Sequence, residues 1–141
     1  AVKEGDQTFI VSLLGSGWPP HKGYKWSDVQ TLLDYGDKNY SYQTIDISKE
    51  VPDRQIHVTD GEQDFATVRA QQTNYRFLLS SEDKVHVESV LPGQLEAPVE
   101  AGQPVGSIQI FVNNDLVAEN DYVTINKIDV RCPWMERLLR K

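Results

Sequence analysis

What this 141-residue chain has little of narrows its character. It holds a single cysteine, Cys132, so no intrachain disulfide can form, and the cysteine count leaves the redox compartment open. Basic residues number 14 against 21 acidic ones, for a net charge of −7. Phosphate binding needs a concentrated positive surface, so no nucleic-acid partner is expected. No apolar run approaches the length of a membrane-crossing helix, and no signal peptide is read. The chain opens on Ala1 and not on methionine, so it reads as a fragment whose targeting sequence lies upstream. There is no Gly-x-Ser-x-Gly, no Cys-x-x-Cys and no phosphate-cradling glycine loop. Internal repeats and low-complexity tracts are missing too, and no cofactor or metal is implied.

What is present belongs to a folded chain: 39% hydrophobic and 25% charged residues argue against disorder. The organising stretch is APVEAGQPVGSIQIFVNNDLVAENDYVT, residues 97–124. Ala97-Pro98 is a rigid entry, Ala101-Gly102 a turn and Val105-Gly106 a short step. From Ser107 the residues alternate, Ile108, Ile110 and Val112 on one face and Gln109 and Phe111 on the other, as in a strand. Asn113-Asn114-Asp115 then predicts a hairpin, because asparagine and aspartate tolerate the positive φ of a tight turn. Upstream, short alternating strands are expected at 42–47, 55–59, 65–70, 74–79 and 84–90. Val51-Pro52-Asp53, Asp60-Gly61, Gln71-Gln72-Thr73 and residues 80–83 separate them. That spacing reads as an antiparallel sandwich or barrel.

The N-terminal part differs. After the turn at Glu4-Gly5-Asp6, residues 8–14 are a nearly continuous apolar run, which predicts a strand covered on both faces. Nothing else in the chain looks able to cover it twice, so the segment is expected to belong to a larger body. A Gly/Pro loop leads to a helix with Ser27 as N-cap, Gln30 three residues on and Asp28 in the first turn. Its apolar stripe is Val29, Leu32, Leu33 and Gly36, with Tyr40 one turn further. Gly36 either ends this helix or admits another backbone closely. The tail turns helical again at Pro133, with Trp134, Leu138 and Leu139 roughly on one side and Arg137, Arg140 and Lys141 elsewhere.

Chemistry-bearing residues are sparse. His57 and His86 could pair across strands around a metal, although solvent-facing strand histidines are commoner. Cys132 beside Arg131 could be a reactive thiol or simply an incidental residue near the chain end. Trp18, Tyr24 and Trp26 read either as a sugar-stacking platform or, preferably, as anchors folding a loop onto its scaffold. The acidic residues are dispersed, as on a solvated surface.

Two stretches resemble one family. FIVSLLGSGWPPHKGYKWSDVQTLLDYG is similar to the segment closing the penicillin-binding domain of serine D-alanyl-D-alanine carboxypeptidases: an apolar strand ending in Leu-Gly, a loop, and a helix with Leu-Leu-x-Tyr/Trp-Gly. LEAPVEAGQPVGSIQIFVNNDLVAE resembles the β-rich C-terminal domain of the same enzymes, with its Ala-Pro-Val-x-x-Gly-x-x-Val-Gly pattern. The loop wording looks most like versions from spore-forming Gram-positive bacteria.

The resemblance implies a mainly β fold. An antiparallel β-sandwich over residues 41–126 would follow a strand-loop-helix remnant of the α/β penicillin-binding domain over 1–40. Residues 127–141 would begin an amphipathic, membrane-facing tail with Trp134, Met135, Leu138 and Leu139 as anchors. It also implies that the family's three catalytic motifs, Ser-x-x-Lys, Ser-x-Asn and Lys-Thr-Gly, lie upstream of Phe9 and are expected to be absent here, so that this chain alone is no enzyme. Lys25 falls where the family has a basic residue for the substrate's terminal carboxylate. It would act as a point charge and not as a bidentate clamp, and an exposed loop cation is an equal reading.

The partners implied are the catalytic domain, the peptidoglycan stem peptide reached through it, and a membrane surface. A second copy is another, pairing through the uncovered N-terminal strand. The implied location is the outer face of the cytoplasmic membrane of a Gram-positive bacterium. The competing expectation is a free-standing β-sandwich module binding glycan or protein at the cell surface; an independent enzyme with an unfamiliar site is a third. A complete module should cover residues 9–14 by itself. Residues 41–126 are expected to fold cooperatively alone and residues 1–40 not.

Overall fold

The structure, a computed structural model, describes residues 1–15, 19–20, 23–134 and 138. The chain divides into two compact units, residues 1–43 with 77–82, and residues 44–76 with 83–141.

In the first unit, β1 (Val2–Glu4) and β2 (Gln7–Phe9) form an antiparallel hairpin with Val2 opposite Phe9. Its turn uses Gly5 at φ +60°, where a side chain would be strained. The predicted strand over 8–14 is shorter than expected, since the ladder ends at Phe9. A strand exists only where backbone groups find a partner edge, and none of the described strands pairs with residues 10–14. The alternation survives the missing ladder: Phe9, Val11 and Leu13 are half-buried, whereas Ile10 and Leu14 are 83% and 94% exposed.

The helix α1 runs Tyr24–Asn39, starting earlier than Ser27. Gly23 caps it without a side-chain bond, accepting from the N–H groups of Trp26 and Ser27. Side-chain capping is favourable but not obligatory, and Tyr24, Lys25 and Trp26 all tolerate helical geometry. The apolar stripe is narrower than predicted: Leu33 and Gly36 are buried, Leu32 is exposed and Tyr40 starts a strand. Gly36 neither ends the helix nor receives a backbone. A Cβ there would lie 2.6 Å from the Phe9 ring, so the glycine is the seat for that side chain.

Strands β3 (Tyr40–Asp46) and β6 (Asn74–Ser80) pair as a two-stranded sheet. The second unit holds a six-stranded sheet made of β4 (Arg54–Thr59), β5 (Phe65–Ala70), β7 (Val85–Val90), β8 (Gln94–Glu96), β9 (Pro104–Val112) and β10 (Asp115–Thr124). Their spatial order is β7-β9-β10-β5-β4-β8. A mainly β chain is therefore what the structure shows. Every pairing in this sheet is antiparallel except β4 with β8, which runs parallel with His57 opposite Gln94 and Thr59 opposite Glu96.

Period-2 burial sets the core. Ala66, Val68 and Ala70 of β5 are buried while Phe65 and Arg69 are exposed; Ile108 and Ile110 of β9 are fully buried. Ile47, Val51, Ile56, Val58, Val99, Tyr122 and Ile128 are buried with them. Each large aliphatic side chain so buried contributes about 1.5–3 kcal/mol. The hairpin between β9 and β10 is as predicted, with Asn113 and Asn114 at φ +51° and +75° joining Val112 to its partner Asp115. A register shift between Leu116 and Ala118 follows at once, so the strand carries a local irregularity there.

The lead-in at 97–103 is locked onto the end of β10 by Thr124, which is 2% exposed. Its hydroxyl donates to the Glu100 carbonyl and accepts the Gln103 N–H at 3.1 Å. Thr124→Val keeps the shape but leaves the Gln103 N–H and the Glu100 carbonyl only the long bond they make to each other, at 3.3 Å. A loss of about 1–3 kcal/mol in urea unfolding is expected; an unchanged midpoint would show that the turn is held by its backbone bonds alone.

Packing does not stop at residue 126. Val99 and Ile128 exchange backbone hydrogen bonds at 2.8 Å, the Glu62 N–H reaches the Asp129 carbonyl at 2.9 Å, and the Arg131 N–H reaches the Asp60 carbonyl at 2.7 Å. Residues 127–131, assigned from sequence to the tail, are stitched onto the β-domain.

Candidate functional site

In the first unit, the first turn of α1 presents Tyr24, Lys25 and Trp26 together. Lys25 and Trp26 join Val11, Leu13 and Val29 in lining a shallow groove of about 210 Å³. The Lys25 ammonium lies 5.5 Å from the Trp26 ring centroid, a cation–π contact worth about 0.5–1 kcal/mol at an exposed site. A cation at the rim of an apolar trough suits a small anionic group carried on an aliphatic body. Tyr24 and Trp26 are 58% and 68% exposed on the helix, so they do not act as buried loop anchors. Trp18, the third member of that aromatic group, lies outside the described residues. Val11 and Leu13 were not singled out from sequence; the signal for them was the alternation of Phe9, Val11 and Leu13, which the neighbouring Ile10 and Leu14 mask.

In the second unit, the histidines do not meet. His57 is on β4 and His86 on β7, with β5, β10 and β9 between them in the sheet, so a shared metal is ruled out for this pair. His57 instead lies edge-on to Phe65, and His86 is near Phe111 and 3.1 Å from Glu88. Among the described residues no group of three or more potential ligands is clustered. Cys132 is half-buried, and the Arg131 guanidinium beside it pairs with Asp64 at 3.0 Å.

The expectation that Ser-x-x-Lys is absent needs correcting, because Ser81-Glu82-Asp83-Lys84 carries that spacing. It lies in the turn between β6 and β7, with Ser81 and Lys84 exposed. Asp83 accepts from the Asn113 amide at 2.6 Å, and the Lys84 N–H donates to Asn113 Oδ1 at 3.0 Å. These residues organise a turn. An activated serine needs an enclosed site with its base in reach, which an open turn does not supply.

The pKa shifts are those of surface turns and ion pairs. Hydrogen bonds from the Arg69 guanidinium hold the Asp53 carboxyl below the usual carboxylate range, with an Nη2 to Oδ2 distance of 2.6 Å. The Ser48 N–H does the same for Asp46. Asp129 raises the Lys127 ammonium. A second, open trough of about 500 Å³ runs along Val90, Leu91, Pro92, Pro104 and Val105. Gly106 makes it a tight crossing, since a Cβ there would lie 2.6 Å from both the Val90 carbonyl oxygen and Leu91 Cδ2.

The second unit is thus a small β-rich module whose polar groups serve turns, edges and ion pairs. It places the chain in the family of the penicillin-binding protein 5 C-terminal domain, to which this chain belongs: the family model matches residues 40–130. No match was found among curated proteins. Several solved structures are similar. Penicillin binding protein 5 from Haemophilus influenzae has 19% identity and a TM-score of 0.49 over 79% of this chain and 32% of that one. The D-alanyl-D-alanine carboxypeptidase DacD from Francisella tularensis has 20% identity and a TM-score of 0.44, over 74% and 27%. A peptidoglycan synthesis regulatory factor (PBP3) from Streptococcus pneumoniae has 18% identity and a TM-score of 0.47, over 79% and 32%. This chain spans less than a third of each of these proteins.

Proposed function

We propose that this chain is the non-catalytic C-terminal part of a cell-wall D-Ala-D-Ala carboxypeptidase, whose β-domain positions the catalytic domain relative to membrane and wall. The observation that carries this reading is the family membership over residues 40–130. On this reading residues 1–40 close the penicillin-binding domain, the stretch from 41 is a β-sandwich that keeps residues 127–131 packed on it, and the tail lying on the outer face of the cytoplasmic membrane begins after Arg131. The exposure of Ile10, Leu14 and Trp26 supports it, because apolar surface of this kind is covered by another body in the complete protein. The same exposure counts against a free-standing module. Trp134 and Leu138 are 63% and 66% exposed, as anchors for lipid would be, whereas Met135 and Leu139 lie outside the described residues. The Gram-positive origin rests on the loop wording alone.

Lys25, at the groove rim, is proposed to contact the terminal carboxylate of the stem peptide. The test uses the complete parent enzyme and this chain side by side. The parent is expected to be acylated by a fluorescent penicillin and to release D-alanine from a D-Ala-D-Ala peptide, and this chain to do neither. Lys25→Ala in the parent should raise KM roughly tenfold with kcat little changed, as for a lost charge-assisted contact. Acylation of this chain alone would overturn the functional reading, and an unchanged KM would remove Lys25 from it.

A further inference from the structure

We propose that the free edge of β7 is a self-association site, at which two copies of this chain pair antiparallel about Val87 and join their six-stranded sheets. This goes beyond the carboxypeptidase reading and does not depend on it.

The geometry comes first. β7 stands at one end of the sheet, and among the described residues its strand partner is β9 alone. The Lys84 carbonyl accepts the Asn113 N–H at 3.0 Å, and the Lys84 N–H is turned to the same residue. In an antiparallel ladder the direction of the backbone groups alternates residue by residue. With Lys84 facing β9, His86 and Glu88 face β9 too, opposite Phe111 and Gln109. The N–H and C=O groups of Val85, Val87 and Ser89 therefore point out of the sheet edge. That is a row of donors and acceptors ready to template another strand.

The choice of occupant follows from the side chains. When two copies pair antiparallel with Val87 opposite Val87, Val85 meets Ser89 and the outward backbone groups of both strands match. His86 of each copy then stands opposite Glu88 of the other, at positions where the side chains approach most closely. These two residues already show their affinity within one chain, at 3.1 Å, and their side chains are 66% and 58% exposed. Other registers that match the backbone groups are poorer: centring on His86 opposes two imidazoles, and centring on Glu88 opposes two carboxylates. The strand is complementary to itself in one register, which is how an isologous interface is specified. The inward-facing Val85 and Val87 are half-buried, so pairing extends the apolar layer beneath them.

One short strand is a small interface, so the dimer is expected to be weak, with a Kd between about 10 µM and 1 mM. Sedimentation velocity of the full 141-residue chain over that range should show a reversible monomer–dimer equilibrium. Val87→Pro removes an outward N–H and leaves the β9 ladder intact, a position where proline is tolerated in an edge strand. It should abolish the dimer while circular dichroism stays unchanged. Glu88→Lys should weaken association roughly tenfold, and His86→Glu combined with Glu88→Lys should restore it by re-matching the charges. A chain that stays monomeric at the top of the range overturns the proposal. So does a dimer that survives Val87→Pro but is lost in the double variant Ile10→Ser, Leu14→Ser, because association would then run through the exposed N-terminal segment.

Discussion

Replacing Tyr122 with alanine is expected to remove about 3–5 kcal/mol of stability, the range for truncating a buried aromatic. Tyr122 is fully buried on β10. Its partners across the sheet are Gly106 on β9 and Ala70 on β5. With typical domain stabilities of about 5–15 kcal/mol, such a loss leaves the β-domain marginal at ambient temperature. Tyr122→Phe gives the informative contrast. The phenolic hydroxyl is buried and makes no hydrogen bond among the described residues. Removing it leaves the packing and deletes a desolvated donor, so the phenylalanine variant should be neutral or more stable by up to about 1–3 kcal/mol. Thermal melts of the two variants against the parent chain test this directly. Equal losses for both would mean that the hydroxyl, and not the ring, holds the core.

The second large effect concerns where the β-domain ends. A chain stopped after Asn126 is expected to be about 3–5 kcal/mol less stable than one stopped after Arg131, from the lost Ile128 side chain and its backbone bonds. Ile128 is 1% exposed and packs with Val58, Ala66 and Val99 in one buried cluster. The five extra residues also bring the Arg131–Asp64 ion pair, but both partners are about half exposed and a pair of that kind adds little. Urea titration of the two chains measures the difference. If both unfold at the same midpoint, the 127–131 segment is an ornament and the sequence-based boundary at 126 stands. Stopping after residue 131 instead of 141 should cost nothing measurable, because no described bond from the core reaches beyond Arg131.

Most of the second unit was legible in the chain. Strand β5 was placed at its observed bounds and β4, β6 and β7 to within one residue, because each alternates between polar and apolar and is bounded by a turn-forming pair. The Asn113-Asn114 hairpin was legible for the same local reason: asparagine tolerates positive φ. Strand β8 went unnoticed, since three residues carry no period and its parallel pairing with β4 depends on a partner far away in sequence. The start of α1 was misplaced because a strong capping pattern at Ser27 outweighed three residues able to be helical without a cap. The groove beside Lys25 was half legible. The cation was found through the family resemblance, and its apolar walls at Val11 and Leu13 were hidden inside a run that looked uniformly apolar. The Ser-x-x-Lys spacing at Ser81 to Lys84 was overlooked in the chain, and it lies in an exposed turn.

By itself, then, the sequence determined the local matters: mainly β character, the positions of most strands, the tight turn at 113–114, and the family to which the chain belongs. The first three rest on the backbone preferences and side-chain alternation of residues close together along the chain, and the family on the resemblance of two stretches to its motifs. Tertiary structure alone decided the rest. It put Phe9 onto Gly36, separated His57 from His86 by three strands, carried Ile128 into the core, and left one edge of the sheet on β7 without a strand partner among the described residues. Each of these depends on which distant segments meet, and burial and hydrogen-bond satisfaction settle that over the whole fold.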